Sequence, residues 1–196
     1  MVEKPKDSIH PASRKQLRTW LERNHDRDSG LWLVLNKKRS GKAVITYDEV
    51  VEELLCFGWV DSKPNKLDED HSLLWIAPRK VGSNWSRLNR ERVERLIASG
   101  QMTPAGSLKI EQAKADGSWA ALDLVESLEL PDDLKATLSS FPNALEHFSA
   151  FPRSVKRGIL EWIQNAKKPE TRKKRIQETS ELAAENRRAN QWRDAH

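Results

Sequence analysis

Hydrophobic side chains in the N-terminal third of the chain follow both helical and extended spacings. Leu17, Trp20 and Leu21 fall at positions i, i+3 and i+4, which predicts an amphipathic helix over residues 8–24. The apolar run at residues 31–35 is short and is bounded by turn-forming and charged residues, which is typical of a buried strand. This part of the chain is therefore predicted to mix helix and strand.

The next hydrophobic runs predict another helix and two further strands. Thr46 is followed three residues later by Glu49, a capping-box pattern that marks the start of a helix. Gly58 is predicted to end that helix. Residues 59–61 and 71–77 are predicted to be extended and to be separated by a polar loop.

Helices dominate the rest of the chain. One is predicted to start at Ser83 or Ser86, and another at Thr103, where proline takes the first helical position. Only helical spacing follows in the C-terminal third. We therefore expect an α+β fold with a small sheet and flanking helices in residues 1–125, and an all-helical segment with basic last helices in residues 126–196.

The composition of the chain indicates a folded protein in a reducing compartment. The 196 residues include eight Trp and four Phe, which can supply a core, and 32% charged residues. No apolar stretch approaches the ~20 residues that a membrane span requires, so we expect no membrane insertion. With Cys56 as the sole cysteine, and no secretory signal at the N-terminus, we expect a cytoplasmic location.

The positive charge is concentrated at the C-terminal end. Residues 152–196 hold 12 Lys or Arg and 6 Asp or Glu, whereas the remainder carries a net charge of −1. Such a segment can attract nucleic acid or another anionic partner, and it can equally form a solvated helical face. The candidate residues for an anionic partner are Lys167, Lys168, Arg172, Lys173, Lys174 and Arg175.

Two loops, at residues 58–62 and 78–86, concentrate small, polar and aromatic residues. A hairpin-like pairing of residues 59–61 with residues 73–76 would bring these loops together. Guanidinium and hydroxyl groups beside the free amides of a helix N-terminus form a generic anion site. The candidate ligand-binding residues are Trp59, Asp61, Arg79, Ser83, Asn84, Trp85 and Asn89.

The same residues also have a purely structural interpretation. Asp61 and Arg79 can form an ion pair, serines before a helix are usually caps, and the tryptophans can belong to the core. Asn89 falls on the apolar face of its predicted helix, where it could support the loop above it or reach a ligand.

No standard catalytic signature occurs in the sequence. There is no glycine-rich phosphate loop, nucleophile elbow or zinc-ligand spacing, so we assign no catalytic residue, cofactor or metal. Cys56 is interpreted as a small core residue. An enzyme acting on a small polar metabolite, with Asp61 as its acid or base, is an alternative function.

Several motifs occur together in one order along the chain, at residues 55–61, 78–86, 91–97, 100–106 and 163–176. This combination resembles the YdeI/OmpD-associated family of bacterial proteins, which are often labelled bacteriocin-protection proteins. The resemblance extends from about residue 10 to about residue 185. It implies an α+β N-terminal portion, a helical C-terminal portion and a role in stress or antimicrobial resistance, without an established reaction.

The leading hypothesis is a stress-associated protein that binds a small or anionic ligand at the two loops. The first alternative is a module that binds nucleic acid or another anionic partner through the basic helices. The number of tryptophans also leaves room for a protein partner, including a second copy of the chain in a homodimer.

Overall fold

A computed structural model of the chain describes residues 5–190. It divides the chain into two compact units, Met1–Trp119 and Ala120–His196. The first contains a four-stranded sheet and helices, and the second is all helical. The predicted α+β fold class is therefore confirmed, while the predicted boundary between segments 1–125 and 126–196 stays a prediction.

The first unit places four strands and four helices within its described residues. A 3₁₀ turn at Lys38–Ser40 adds to them. In chain order the elements are β1 (Ser8–Ile9), α1 (Arg14–Asn24), β2 (Leu31–Asn36), α2 (Tyr47–Cys56), β3 (Trp59–Lys66), β4 (His71–Pro78), α3 (Arg87–Ala98) and α4 (Pro104–Ala115).

The strand order in the sheet is β1-β2-β4-β3. The short strand β1 pairs with β2 in parallel, and both other pairs are antiparallel. Leu33 lies opposite Leu74 in the register of the two central strands. The edge strand β3 carries an irregularity between Asp61 and Pro64, a place where proline is tolerated because an edge strand leaves one side of its backbone unpaired.

The main core lies between one face of this sheet and the helices. Leu33, Leu74 and Trp59 from the sheet, together with Leu17 of α1 and Leu54 of α2, are almost completely buried in it. A smaller cluster of Val34, Leu67 and Leu73 is buried on the opposite face, with Trp32 packed against it.

Two predicted elements had wrong boundaries, each for a local reason. The first helix starts at Arg14, because the Ser13 side chain accepts a hydrogen bond from Gln16 N–H as the N-cap, and residues 8–9 form β1. The predicted polar loop at residues 62–70 is largely strand, since β3 continues to Lys66. Its polar side chains are exposed at the sheet edge and therefore lack an apolar alternation.

The predicted helix starts at Thr46 and Thr103 are confirmed. Thr46 and Glu49 form both hydrogen bonds of a capping box. Thr103 caps α4, which has proline in its first turn. Of the two candidates for the start of α3, Ser86 is the N-cap, and its side chain accepts from Asn89 N–H.

The second unit is a bundle of five helices within its described residues. Leu134, Leu138, Phe148, Ile159 and Ile163 are at most 1% exposed in its core. In residues 5–190, no helix combines the length and the apolar character needed to cross a bilayer. The helices are α5 (Asp123–Ser127), α6 (Asp132–Ser139), α7 (Ala144–Ala150), α8 (Arg153–Gln164) and α9 (Pro169–Ala184).

The first turn of α4 depends on a glycine at a close helix contact. A Cβ at Gly106 would lie 2.7 Å from the carbonyl oxygen of Leu55 and 2.6 Å from Met102 Sδ. We therefore expect Gly106→Ala to lower the free energy of unfolding by about 2 kcal/mol, despite the better helix propensity of alanine, because the carbonyl belongs to the backbone of α2 and cannot move aside. Urea denaturation followed by circular dichroism measures the change.

Gly158 provides the matched control, because it also lies inside a helix but a Cβ added there would meet no neighbouring atom within 4 Å. Gly158→Ala should leave stability unchanged or raise it by up to about 1 kcal/mol. Equal effects of the two substitutions would show that the contact at Gly106 is not tight.

Candidate functional site

The start of β3 and the end of β4 lie side by side and fix the position of Arg79. Trp59 lies opposite Pro78 in the antiparallel register, and Arg79 N–H donates to the Gly58 carbonyl at 2.9 Å. The predicted pairing of these segments is confirmed, but its register was wrong. Residues 59–61 lie opposite 76–78 rather than 73–76, because β3 is longer than predicted and its second half occupies the other positions.

The Arg79 side chain is buried without a carboxylate partner. It is 4% exposed, its Cζ lies 3.8 Å from the centroid of the Trp85 ring, and Nη1 donates to the Asn84 carbonyl at 3.0 Å. Its Nε has no hydrogen-bond partner. Burial lowers the pKa of the guanidinium to about 10, although the charge of Asp61 acts in the opposite direction.

The structure brings together four of the seven candidate ligand-binding residues. Arg79, Asn84 and Trp85 are in contact, and Ser83 lies in the same loop with its hydroxyl donating to the Lys80 carbonyl at 2.7 Å. The interpretation of Ser83 as a helix cap was wrong, since Ser86 takes that role.

The other three candidates make separate structural contacts. Trp59 is fully buried, and its Nε1 donates to the His25 carbonyl at 3.0 Å. Asp61 accepts a hydrogen bond from Tyr47 Oη at 2.7 Å. Asn89 Oδ1 accepts from Arg92 Nη1 at 3.0 Å, so it supports a buried arginine of its own helix.

A small cavity lies behind Arg79, between the β4–α3 loop and the second half of α4. We call it the inner cavity, and its volume is about 10 Å³. That volume accommodates about one water-sized sphere. Its lining consists of Arg79, Lys80, Val81, Gly82, Ser83, Trp85, Lys109, Gln112, Ala113, Asp116 and Ser118.

A larger depression, which Arg79 also lines, lies at the N-terminal end of α4. We call it the open cleft, and its volume is about 520 Å³. Its cationic and acidic groups come from three different parts of the chain, and Phe57 and Leu108 contribute apolar surface. The lining residues are His25, Asp26, Arg27, Asp28, Phe57, Gly58, Pro78, Arg79, Lys80, Pro104, Ala105, Leu108 and Lys109.

Unsatisfied polar atoms are concentrated around these two spaces. In residues 5–190, six side-chain atoms are buried without a hydrogen-bond partner, and all six belong to residues that line the inner cavity or the open cleft. Buried polar atoms normally have partners, so such a concentration marks a place where polar groups are aimed at something other than the protein. The atoms are His25 Nδ1, Arg27 Nε, Arg79 Nε, Trp85 Nε1, Gln112 Oε1 and Ser118 Oγ.

Sequence reasoning missed the contributions of the α1–β2 loop and of α4. His25 and Arg27 belong to a cluster that was interpreted only as a turn, and their approach to Arg79 depends on the sheet order. Lys109 and Gln112 are three residues apart on one helix and therefore share a face, which is the one local signal that could have selected them.

Two arginines of the basic segment already have partners within the second unit. Arg172 forms two hydrogen bonds with Asp133, at 2.7 and 2.9 Å, and Arg175 stacks on the Trp162 ring with its Cζ 5.0 Å from the centroid. Binding of nucleic acid or another anionic partner stays a prediction, and it now depends mainly on the exposed side chains of Lys167, Lys168, Lys173 and Lys174.

Metal binding has no geometric support in the part of the chain that the structure describes. Residues 5–190 contain no group of three or more His, Cys, Asp or Glu side chains placed to hold a metal ion. Cys56 is fully buried, and burial raises the pKa of its thiol, so the side chain is a core residue as interpreted from the sequence.

Two family models match the chain, one in each unit. Residues 9–109 match the family described as Domain of unknown function (DUF8412), and residues 127–186 match the family described as Bacteriocin-protection, YdeI or OmpD-Associated. No curated protein and no solved structure matches. All residues of the open cleft fall within the first match.

Proposed function

We propose that this chain, which belongs to the DUF8412 family and carries a C-terminal segment similar to YdeI or OmpD-associated proteins, is a bacterial protein related to stress or resistance that binds a small anionic ligand in the open cleft. The family resemblance supports the role in stress or resistance. The chemistry of Arg79 and its neighbours supports the binding of an anion.

The burial of Arg79 is the observation that carries the proposal. Charged side chains are rarely buried unless they are paired, because removal from water costs more than a carbonyl oxygen or an aromatic face returns. Arg79 has only those two kinds of contact, and the fold lowers its pKa instead of compensating its charge. An anion in the cleft would supply the missing charge and accept from its free N–H groups.

The surrounding charges favour the same ligand class. Arg27, Lys80 and Lys109 add three cations to the lining, and Asp26 and Asp28 are the two carboxylates. The N-terminal residues of α4 also line the cleft, so the positive end of that helix dipole lies at its wall. A volume of about 520 Å³ falls in the usual range for sites that hold small molecules.

The alternative of catalysis by Asp61 has less support. Asp61 lines neither the inner cavity nor the open cleft, and its carboxylate accepts a hydrogen bond from the Tyr47 hydroxyl. Burial and this hydrogen bond raise the pKa of Tyr47 to about 12, so the pair is stable as a donor and an acceptor near neutral pH. We therefore place the function in binding.

Reversing one charge of the cleft tests the proposal. In isothermal titration with phosphate, acetate, benzoate and adenosine monophosphate, we expect at least one anion to bind and Lys109→Glu to weaken its affinity by about tenfold or more. A carboxylate facing the ligand replaces attraction with repulsion, which costs more than the 1.4 kcal/mol that corresponds to a tenfold change.

Lys63→Glu is the control, because it makes the same charge change on an exposed position of β3 outside the cleft. It should bind the same anion as the unmodified chain does. The proposal fails if none of the four anions binds, or if the two lysine variants weaken binding equally.

A further inference from the structure

The inner cavity shares Arg79 with the open cleft but adds buried polar groups that the cleft lacks. Arg79 Nε and Trp85 Nε1 are obligatory donors, the Ser118 hydroxyl can donate or accept, and all three are buried without partners. Gln112 lines the same cavity and its buried Oε1 also lacks a partner, so a half-turn of its amide would offer Nε2 as a fourth donor. Gln112 and Ser118 line the inner cavity only.

The size of the inner cavity limits its occupant to a single non-hydrogen atom. A volume of about 10 Å³ corresponds to about one water-sized sphere. Carboxylate, phosphate and sulfate have three to five heavy atoms and are excluded. The occupant is therefore a water molecule or a monatomic ion.

The charge around the cavity distinguishes between these two. Three cations line it, Arg79, Lys80 and Lys109, and one carboxylate, Asp116. The Asp116 oxygens already accept from Ser118 N–H at 2.9 Å and from Gly82 N–H at 3.0 Å. The Ser118 hydroxyl is close enough to Asp116 to lower the pKa of that carboxyl, although the two do not meet in hydrogen-bond geometry.

A water molecule could satisfy these hydrogen bonds, but it would bring no negative charge to a lining of three cations and one carboxylate. An anion satisfies the donors and also supplies the opposite charge. We propose that the inner cavity is a halide site, occupied by chloride, with Arg79, Trp85, Ser118 and Gln112 as its donors. Chloride is slightly larger than water, and the flexible side chains of Lys80 and Lys109 at the wall allow for the difference.

Bromide tests the site directly, because it replaces chloride and scatters anomalously. Crystals of the full chain grown in sodium bromide should show an anomalous peak in the inner cavity, within hydrogen-bond distance of Arg79 Nε and Trp85 Nε1. A water molecule there in the presence of bromide, with no anomalous signal, would overturn the proposal.

A substitution in the cavity supplies the solution test. At constant ionic strength, with gluconate replaced by chloride, we expect Tm to rise by roughly 3 °C or more for each tenfold increase in chloride above its dissociation constant. Gln112→Glu should abolish this dependence, since the new carboxylate repels the halide and pairs with Arg79 itself. Gluconate is too large for the cavity.

Gln164→Glu is the control, with the same chemical change at an exposed position of the second unit. It should keep the chloride dependence. A chloride response that is absent from the unmodified chain, or equal in all three proteins, would refute the halide site. Titration of the unmodified chain with the four oxyanions, which are too large for the inner cavity, shows separately whether the cleft proposal stands or fails.

Discussion

Replacing Arg79 with methionine is expected to abolish anion binding while leaving the fold as stable as before, or more stable by about 1 kcal/mol. A buried side chain of this size normally contributes 2–5 kcal/mol when it is apolar, so its loss would be costly. Arg79 differs because its charge is buried beside a carbonyl and an indole ring only. In the ligand-free protein, the desolvation of the Arg79 guanidinium lowers the free energy of unfolding. Methionine fills much of the same volume without this cost.

The stabilising interactions that Arg79→Met removes are weaker than the desolvation cost that it also removes. The hydrogen bond to the Asn84 carbonyl is worth about 1–3 kcal/mol as a charge-assisted bond, and the stacking on Trp85 about 1–2 kcal/mol. The desolvation cost of a buried ion is several kcal/mol. Urea denaturation in a buffer free of chloride and small oxyanions, combined with titration of the anion that the unmodified chain binds, measures both effects.

Arg92 provides the matched control, because it is also buried but has partners. It is 7% exposed, it donates to Asn89 Oδ1 and it forms an ion pair with Asp48. Arg92→Met should lower the free energy of unfolding by about 1 kcal/mol and leave anion binding intact. If Arg79→Met were the more destabilising of the two and still bound the anion, the role assigned to Arg79 would be wrong.

The elements predicted best from sequence are those determined by neighbouring residues. Thr46 and Glu49 are three positions apart and form the expected capping box, and Thr103 and Pro104 start α4 as expected. Arg79 and Trp85 are also close in sequence, since one tight loop joins them, and both were candidate site residues although their stacking was not predicted.

Features that depend on distant pairing were missed. The two-residue strand β1 is too short for any alternation and exists because it pairs with β2. The polar half of β3 has no apolar face, since it lies at the edge of the sheet, and only its pairing with β4 makes it a strand.

The same distinction between local and distant contacts explains which residues of the candidate site could be predicted from the sequence. Arg27 and Lys109 are far from Arg79 in sequence, and they reach the cleft through the sheet order and the packing of α4 against α2. No local pattern encodes that convergence. The loops selected from the sequence contain the buried Arg79. The charged groups and hydrogen-bond donors around it could be identified only from the tertiary structure.

Glu53 illustrates the point further, since a carboxylate inside α2 gives no sequence signal and yet is 2% exposed. Its Oε1 accepts from Arg14 Nε at 2.6 Å and its Oε2 from Arg18 Nη1 at 3.0 Å, which ties α1 to α2. Both arginines also bond to Gln101, through its side chain and its carbonyl. Burial alone would lower the pKa of Arg14, but the hydrogen bond and charge of Glu53 raise it.

We expect Glu53→Ala to lower the free energy of unfolding by about 3 kcal/mol, as measured by urea denaturation. Removing one member of a buried ion pair leaves the other charge uncompensated, and the usual cost of 3–5 kcal/mol is reduced here because each arginine side chain is 31% exposed and can turn to water.

The adjacent Glu52 also pairs with Arg14, at 3.0 Å, but is 24% exposed. Glu52→Ala should therefore cost less than about 1 kcal/mol. Equal losses for the two glutamates would mean that burial does not determine the strength of this network.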